Sequence, residues 1–229
     1  MPFMPMAGAV VFDLDGTLLD TLDDLADSAN YALALFGYPT HPTPMYRHFV
    51  GNGVDRLIFR IVPEEGLVPE KFQAVKECYL DRYNAHALEK TRPYDGVIEA
   101  LRVLKETGLH LCVVSNKPDN QTKLTASHFF GYELFDLVAG GGAYPLKPDP
   151  ALTLHILASV ETPAKDAIFV GDTGVDMQTA KNAQLSAIGV TWGFRDRDEL
   201  TANGADYIAD SPGELPDLIQ EILRNKKEG

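Results

Sequence analysis

Ala9-Val10-Val11-Phe12-Asp13-Leu14-Asp15-Gly16-Thr17 carries four apolar residues straight into an acidic turn. A short, uninterrupted apolar run bounded by a turn is the pattern of a strand buried on both faces, as strands of parallel sheets are. Comparable runs recur at 111–114, 137–139, 167–170 and 187–190, with helical patterns between them. That alternation predicts an α/β chain, a parallel sheet covered by helices on both faces. In such a sheet ligands bind beyond the carboxyl ends of the strands, so Asp13 and Asp15 belong to the functional edge.

The first interval breaks the rhythm. About a hundred residues separate the first two runs, where one crossover helix takes about thirty. The interval carries amphipathic patterns at 22–35 and 70–88 and shorter helical stretches at 43–50 and 54–62, and nothing in it alternates as a strand does. Residues 21–91 are therefore expected to form a helical insert, with 1–20 and 92–229 making the core. The crossings at 19–21 and 90–93 lie side by side and predict a hinge. A final helix is expected at 213–223, then a charged tail at 225–229.

The 229 residues, 45% of them hydrophobic, suffice for one large domain or a core with a smaller insertion. A formal net charge of -13 disfavours nucleic acid and anionic membrane surfaces as partners. Salt screens that acidity beyond about 8–10 Å, so an anionic substrate would need cations supplied locally. Two cysteines, Cys78 and Cys112, make neither a disulfide framework nor a zinc site, and no two of the six histidines share the spacing of a helical metal pair. Residues 1–8 lack a basic segment, and Asp13 interrupts the apolar run after them. Neither a signal peptide nor a membrane anchor is expected, and a cytoplasmic location is the default.

Three more strand ends carry polar groups. The run at 111–114 leads into Ser115-Asn116-Lys117, where Ser and Asn could simply cap a helix. Lys147 lies in Pro145-Leu146-Lys147-Pro148-Asp149-Pro150, a stretch stiffened by prolines before a helix, and alone it would read as surface charge. Gly171-Asp172-Thr173-Gly174-Val175-Asp176 sets one acid at a strand end and a second four residues on, which a helical turn would bring to the same side. Acids at a helix N-terminus are also favoured by the dipole without any catalytic role.

Taken in order, these groups resemble the four motifs of the haloacid dehalogenase superfamily: Asp13 through Thr17 the first, Ser115 the second, Lys147 the third, and Gly171-Asp172 through Asp176 the fourth. The resemblance covers nearly the whole chain. It implies a Rossmann-like doubly wound parallel sheet with a helical cap inserted after the first strand. The phrases Phe49-Val50-Gly51-Asn52-Gly53 and Val190-Thr191-Trp192-Gly193 are similar to the phosphoglycolate phosphatase branch.

The resemblance implies a magnesium-dependent phosphatase of small phosphorylated metabolites. Asp13 would attack phosphorus, and Asp15 would protonate the leaving alcohol and then deprotonate water. Asp13, the Asp15 carbonyl, Asp172 and Asp176 would bind Mg2+, which prefers oxygen ligands. Ser115 and Lys147 would hold the phosphoryl oxygens, helped by Asn116, Lys117 and the turn around Thr17. Four carboxylates against the metal and Lys147 leave excess negative charge, and Asp15 is expected to carry the proton. Gly51, Asn52 and Gly53 with Arg56 are candidates for the far end of the substrate, although a plain turn would look the same. A sugar phosphomutase would share every core residue. A dehalogenase would lack Asp15, and a non-catalytic module would not need the acidic set.

Overall fold

The computed structural model describes residues 8–228, so the amino-terminal residues read as free of a leader lie outside the described residues. The chain begins with β1 (Ala9–Phe12) and β2 (Leu19–Asp20), then enters a helical stretch of α1 (Leu22–Leu35), α2 (Tyr46–Phe49), α3 (Val54–Ile61) and α4 (Pro69–His86). It returns through β3 (Arg92–Pro93) to α5 (Val97–Glu106), β4 (His110–Pro118), α6 (Asp119–Phe130), β5 (Leu137–Gly141) and α7 (Ala151–Ser159). It closes with β6 (Ala167–Gly171), α8 (Gly174–Asn182), β7 (Ser186–Val190), α9 (Arg197–Ala202), β8 (Tyr207–Ala209) and α10 (Leu215–Glu228).

Six strands make one parallel sheet in the order β5-β4-β1-β6-β7-β8. Because side chains alternate across a strand, each central strand feeds two cores. Val10, Phe12, Leu111, Val113, Ile168 and Val170 face α5 and α10, whose Leu101, Leu104, Ile219 and Leu223 complete that layer. Val11, Cys112, Val114 and Phe169 face α7 and α8, through Leu152, Ile156, Met177 and Ala180. Each such side chain contributes roughly 1.5–3 kcal/mol by leaving water. This doubly covered, Rossmann-like α/β sheet is the expected fold class. β1 lies at its centre, so Asp13 emerges at the middle of the carboxyl edge.

A third apolar cluster unites α1 to α4 through Leu33, Tyr46, Ile58, Val75 and Tyr79, and its one buried member from outside residues 25–87 is Phe194. The crossings into and out of this helical stretch pair as an antiparallel β2–β3 ladder, Leu19 opposite Pro93 and Asp20 opposite Arg92. At two residues each, these strands are too short to show a period. Another difference from expectation is at the carboxyl end, where α10 continues to Glu228 through the stretch read as a charged tail. Burial of Ile222 and Leu223, together with a bond from the Lys226 ammonium to the Ala167 carbonyl (3.2 Å), carries the helix onward. No described helix is long and apolar enough to cross a membrane.

Candidate active site

Asp13 continues the line of β1, its amide donating to the Val170 carbonyl at 2.9 Å, so its carboxylate is set by a fully buried central strand of the sheet. The turn after it folds tightly, the Leu18 and Leu19 amides both returning to the Leu14 carbonyl at 3.0 Å. Gly16 sits in this turn at φ +90, and a β-carbon there would collide with the Asp172 carboxylate. Only glycine meets both conditions. The turn thereby brings the first and last acidic motifs into contact.

Ser115, Asn116 and Lys117 were expected just past a strand, but they lie within β4. The pairing of β4 with β5 shifts register between Val114, opposite Ala139, and Pro118, opposite Gly141. The bulge re-aims successive side chains toward the edge. Lys117 reaches Asp15, Nζ to Oδ1 at 2.5 Å, a buried ammonium missing from the sequence-based charge count. Asn116 clasps the backbone of Lys147, accepting from its amide at 2.7 Å and donating to its carbonyl at 3.1 Å, and also donates to the Gly51 carbonyl at 3.0 Å. Its amide group thus positions Lys147. Gly140, near the end of β5, is enclosed, because a β-carbon there would strike Thr122 and the Lys117 carbonyl.

The Lys147 ammonium lies 2.7 Å from Asp13 Oδ1 and 2.7 Å from Asp176 Oδ1. Asp176 closes a capping box on α8, its other oxygen accepting from the Thr173 amide (3.0 Å) and hydroxyl (2.6 Å). The helix-cap reading of Asp176 and its place beside Lys147 are both true, one on each oxygen. Asp172 accepts from the Thr17 hydroxyl at 3.1 Å and the Phe194 amide at 2.8 Å. Thr17, a substrate-binding candidate by sequence, therefore supports Asp172, and the Trp192 indole in turn donates to the Thr17 carbonyl at 3.0 Å.

Asp13, Asp172 and Asp176 are buried, and each offers an oxygen within 4.8 Å of the others. Burial, only partly offset by Lys147 and reinforced by Asp176 and Asp15, pushes the Asp13 carboxyl up to about 7. Burial and repulsion from Asp176 and Asp13 hold Asp172 well above the usual carboxylate range. Three carboxylates with one ammonium among them are short of positive charge. An all-oxygen set of this kind fits a hard divalent cation far better than zinc or copper.

Asp13, Asp15, Ser115, Asn116 and Lys117 share a partly open cleft of about 520 Å³, some of it continuous with solvent, with Gly51 and Gly53 across from them. Asn52 and Arg56 are not among the lining residues. Arg56 is exposed, its guanidinium carbon 6.0 Å from the Phe59 ring centroid. Sequence reasoning missed the lining residues Tyr79 and Tyr83 on α4 and Gln121 on α6. Their only signal was the four-residue spacing of the tyrosines, which a core-facing pair shares.

The model of the haloacid dehalogenase-like hydrolase family matches residues 10–190. A phosphoglycolate phosphatase of Vibrio parahaemolyticus is 32% identical over 217 residues, covering 92% of this chain and 95% of that protein. One from Mannheimia succiniciproducens is 33% identical over 215 residues, covering 91% and 96%. The crystal structure of a predicted phosphoglycolate phosphatase from Haemophilus somnus superposes with a TM-score of 0.87 at 29% identity, over 94% of this chain and 99% of that one. With its acidic edge, its parallel sheet and a family match across most of its length, the chain belongs to the haloacid dehalogenase-like hydrolases.

Proposed function

We propose that this hydrolase is a cytoplasmic, magnesium-dependent phosphatase of small phosphomonoesters such as phosphoglycolate, and that it works through a phosphoaspartyl intermediate on Asp13. The observation that carries the reading is the placement of Asp13, which faces the cleft shared with Ser115 and Asp15 while lying within reach of Lys147, Asp172 and Asp176. The names of the relatives support the substrate. Residues 21–91 act as a cap over a core of 1–20 and 92–229.

Asp13, Asp172 and Asp176, with the Asp15 carbonyl, would hold the Mg2+. When bound, the ion supplies charge neutralisation that lets a phosphate dianion approach three carboxylates. Lys147 fixes one Asp13 oxygen and leaves the other to attack phosphorus in line with the ester oxygen. The new bond joins Asp13 to phosphorus as the ester bond breaks, and its electron pair leaves on the alcohol oxygen. Asp15 gives that oxygen a proton, then takes one from the water that attacks phosphorus, releasing phosphate and restoring Asp13. Ser115 donates to a phosphoryl oxygen from the bulge in β4.

Phosphate release from phosphoglycolate should require magnesium and vanish on chelation. Asp13→Asn should abolish acid-stable labelling by radioactive phosphate donor, whereas Asp15→Asn should slow both formation and breakdown of the labelled enzyme. Stoichiometric labelling of Asp13→Asn, or full activity after exhaustive chelation, would refute the mechanism.

A further inference from the structure

Above the acidic edge the cleft is walled by α4. Tyr79 and Tyr83, one helical turn apart, stack there with ring centroids 5.8 Å apart and planes 11° from parallel. They are 2% and 1% exposed, and both line the cleft beside Asp15 and Lys117. The Tyr83 hydroxyl has no hydrogen-bond partner. Tyr79 likewise makes no hydrogen bond through its hydroxyl among the described residues, whereas Tyr46, buried in the same cluster, donates to Asn30 at 2.7 Å. Buried hydroxyls are normally satisfied, so the orphaned Tyr83 hydroxyl, beside a Tyr79 hydroxyl that also makes no bond, marks a place where a ligand supplies the acceptors. Burial also raises both phenols well above their ordinary range, which keeps them neutral donors.

The surroundings narrow the ligand. Lys117 is the one cation lining the cleft among the described residues, and its ammonium lies 5.0 Å from the Tyr83 ring centroid. The apolar part of the wall is Leu25, Val50, Val54 and Leu57, with Gln121 beside it, its amide nitrogen given to Asn84. The apolar side chains accommodate a short carbon chain and leave few partners for a polyhydroxylated sugar.

We propose that the Tyr79–Tyr83 pair, with Lys117 beside it, is the leaving-group subsite, the two hydroxyls donating to the oxygens of a carboxylate attached one carbon from the ester oxygen. This assignment rests on the phosphatase reading and makes the two tyrosines its specificity determinants. Exposed Arg56 then has no part in recognition.

The test compares phosphoglycolate with ethyl phosphate, which has the same two carbons but no carboxylate, in wild type, Tyr79→Phe and Tyr83→Phe. Each substitution removes only an unpaired hydroxyl, so melting temperatures should match or exceed wild type. The ratio of kcat/KM for phosphoglycolate over ethyl phosphate should fall about tenfold or more in each variant. An unchanged ratio in both variants would overturn the subsite. A wild type that does not prefer phosphoglycolate would instead overturn that substrate, and the same variants on glycerol phosphate against propyl phosphate would then decide the tyrosines: a ratio that falls supports them as donors, and a constant ratio makes them packing only.

Discussion

Asp172 is enclosed by Thr17 on one carboxylate oxygen, the Phe194 amide on the other, and Gly16 and Gly193, which pass so close that a β-carbon on either would collide with it. Neutral donors do not cancel its repulsion from Asp13 and Asp176. Asp13 is pushed up to about 7 from an ordinary 3.8, so without metal the native state retains a proton that the unfolded chain releases. Stability of the metal-free protein should therefore fall as pH rises from about 4 to about 7, because the unfolded state binds fewer protons there. Asp172→Asn removes one of the crowded charges and should raise the metal-free melting temperature by roughly 2–8 °C near neutral pH, for a relief of about 1–2 kcal/mol. Magnesium should raise the wild-type value by mass action and leave the variant unmoved. Calorimetry with and without the ion checks both, and a metal-free variant less stable than wild type would contradict the account of crowded charges. The positions of Asp13, Lys147 and Asp172 were legible in the sequence, because each stands where an apolar run ends or within a proline-stiffened loop, and Asp176 followed from its spacing of one helical turn from Asp172. The duties of Asn116 and Thr17 were not, because polar side chains beside a site look alike in sequence whether they touch substrate or orient a neighbour. Tyr79 and Tyr83 were hidden for another reason: helical spacing puts an aromatic on a face without telling whether its hydroxyl finds a partner.

Among the elements, the crossings between the sheet and the helical stretch are held by a residue that sequence gave no reason to single out. Asp24, buried in the first turn of α1, accepts from the Lys90 amide at 3.0 Å, the Thr91 amide at 2.8 Å and the Thr91 hydroxyl at 2.8 Å. It ties the outgoing crossing to the returning one, and the β2–β3 ladder lies beside it. Asp24→Ala would leave these donors without an acceptor and should cost about 2–4 kcal/mol. In urea titrations the midpoint should fall with the slope unchanged. A loss below about 0.5 kcal/mol would show that the crossings hold without the clamp. The central strands were legible because burial on both faces leaves a continuous apolar run. β8 escaped because a three-residue edge strand has no period, and the bulge of β4 escaped because its polar residues read as a loop. The helices of 21–91 were found for the converse reason, since a half-buried helix writes its 3.6-residue period into the sequence.

Across the whole molecule, the helical stretch and the sheet edge meet at a set of reciprocal contacts. Arg47, on α2, donates to the Gly193 carbonyl at 2.7 Å, and Arg195 donates to the Val50 carbonyl at 3.2 Å while pairing with Glu199 at 3.2 Å. Between them Phe194 buries its ring among the helices and gives its amide to Asp172. Gln121 on α6 adds a bond to Asn84 on α4 at 2.7 Å. The loop at 193–195 therefore touches the acidic set with its backbone and the proposed cap with its side chains, so the cation binding proposed for Asp172 and the closure proposed for the cap would share one segment. The proposed mechanism needs water excluded during transfer to Asp13 yet admitted for hydrolysis, and a proposed cap held by a few polar contacts can open between the two steps. Replacing both Arg47 and Arg195 by Ala removes two cross-contacts worth about 1 kcal/mol each. Small-angle scattering of the ligand-free double variant should then show a larger radius of gyration than wild type, and magnesium with orthovanadate should compact both. KM for phosphoglycolate should rise about tenfold or more, because part of the binding energy would be consumed in closing the cap. Identical scattering profiles and an unchanged KM would mean that these arginines only decorate a closed surface, which Phe194 and the contacts of Gln121 and Asn116 hold without them.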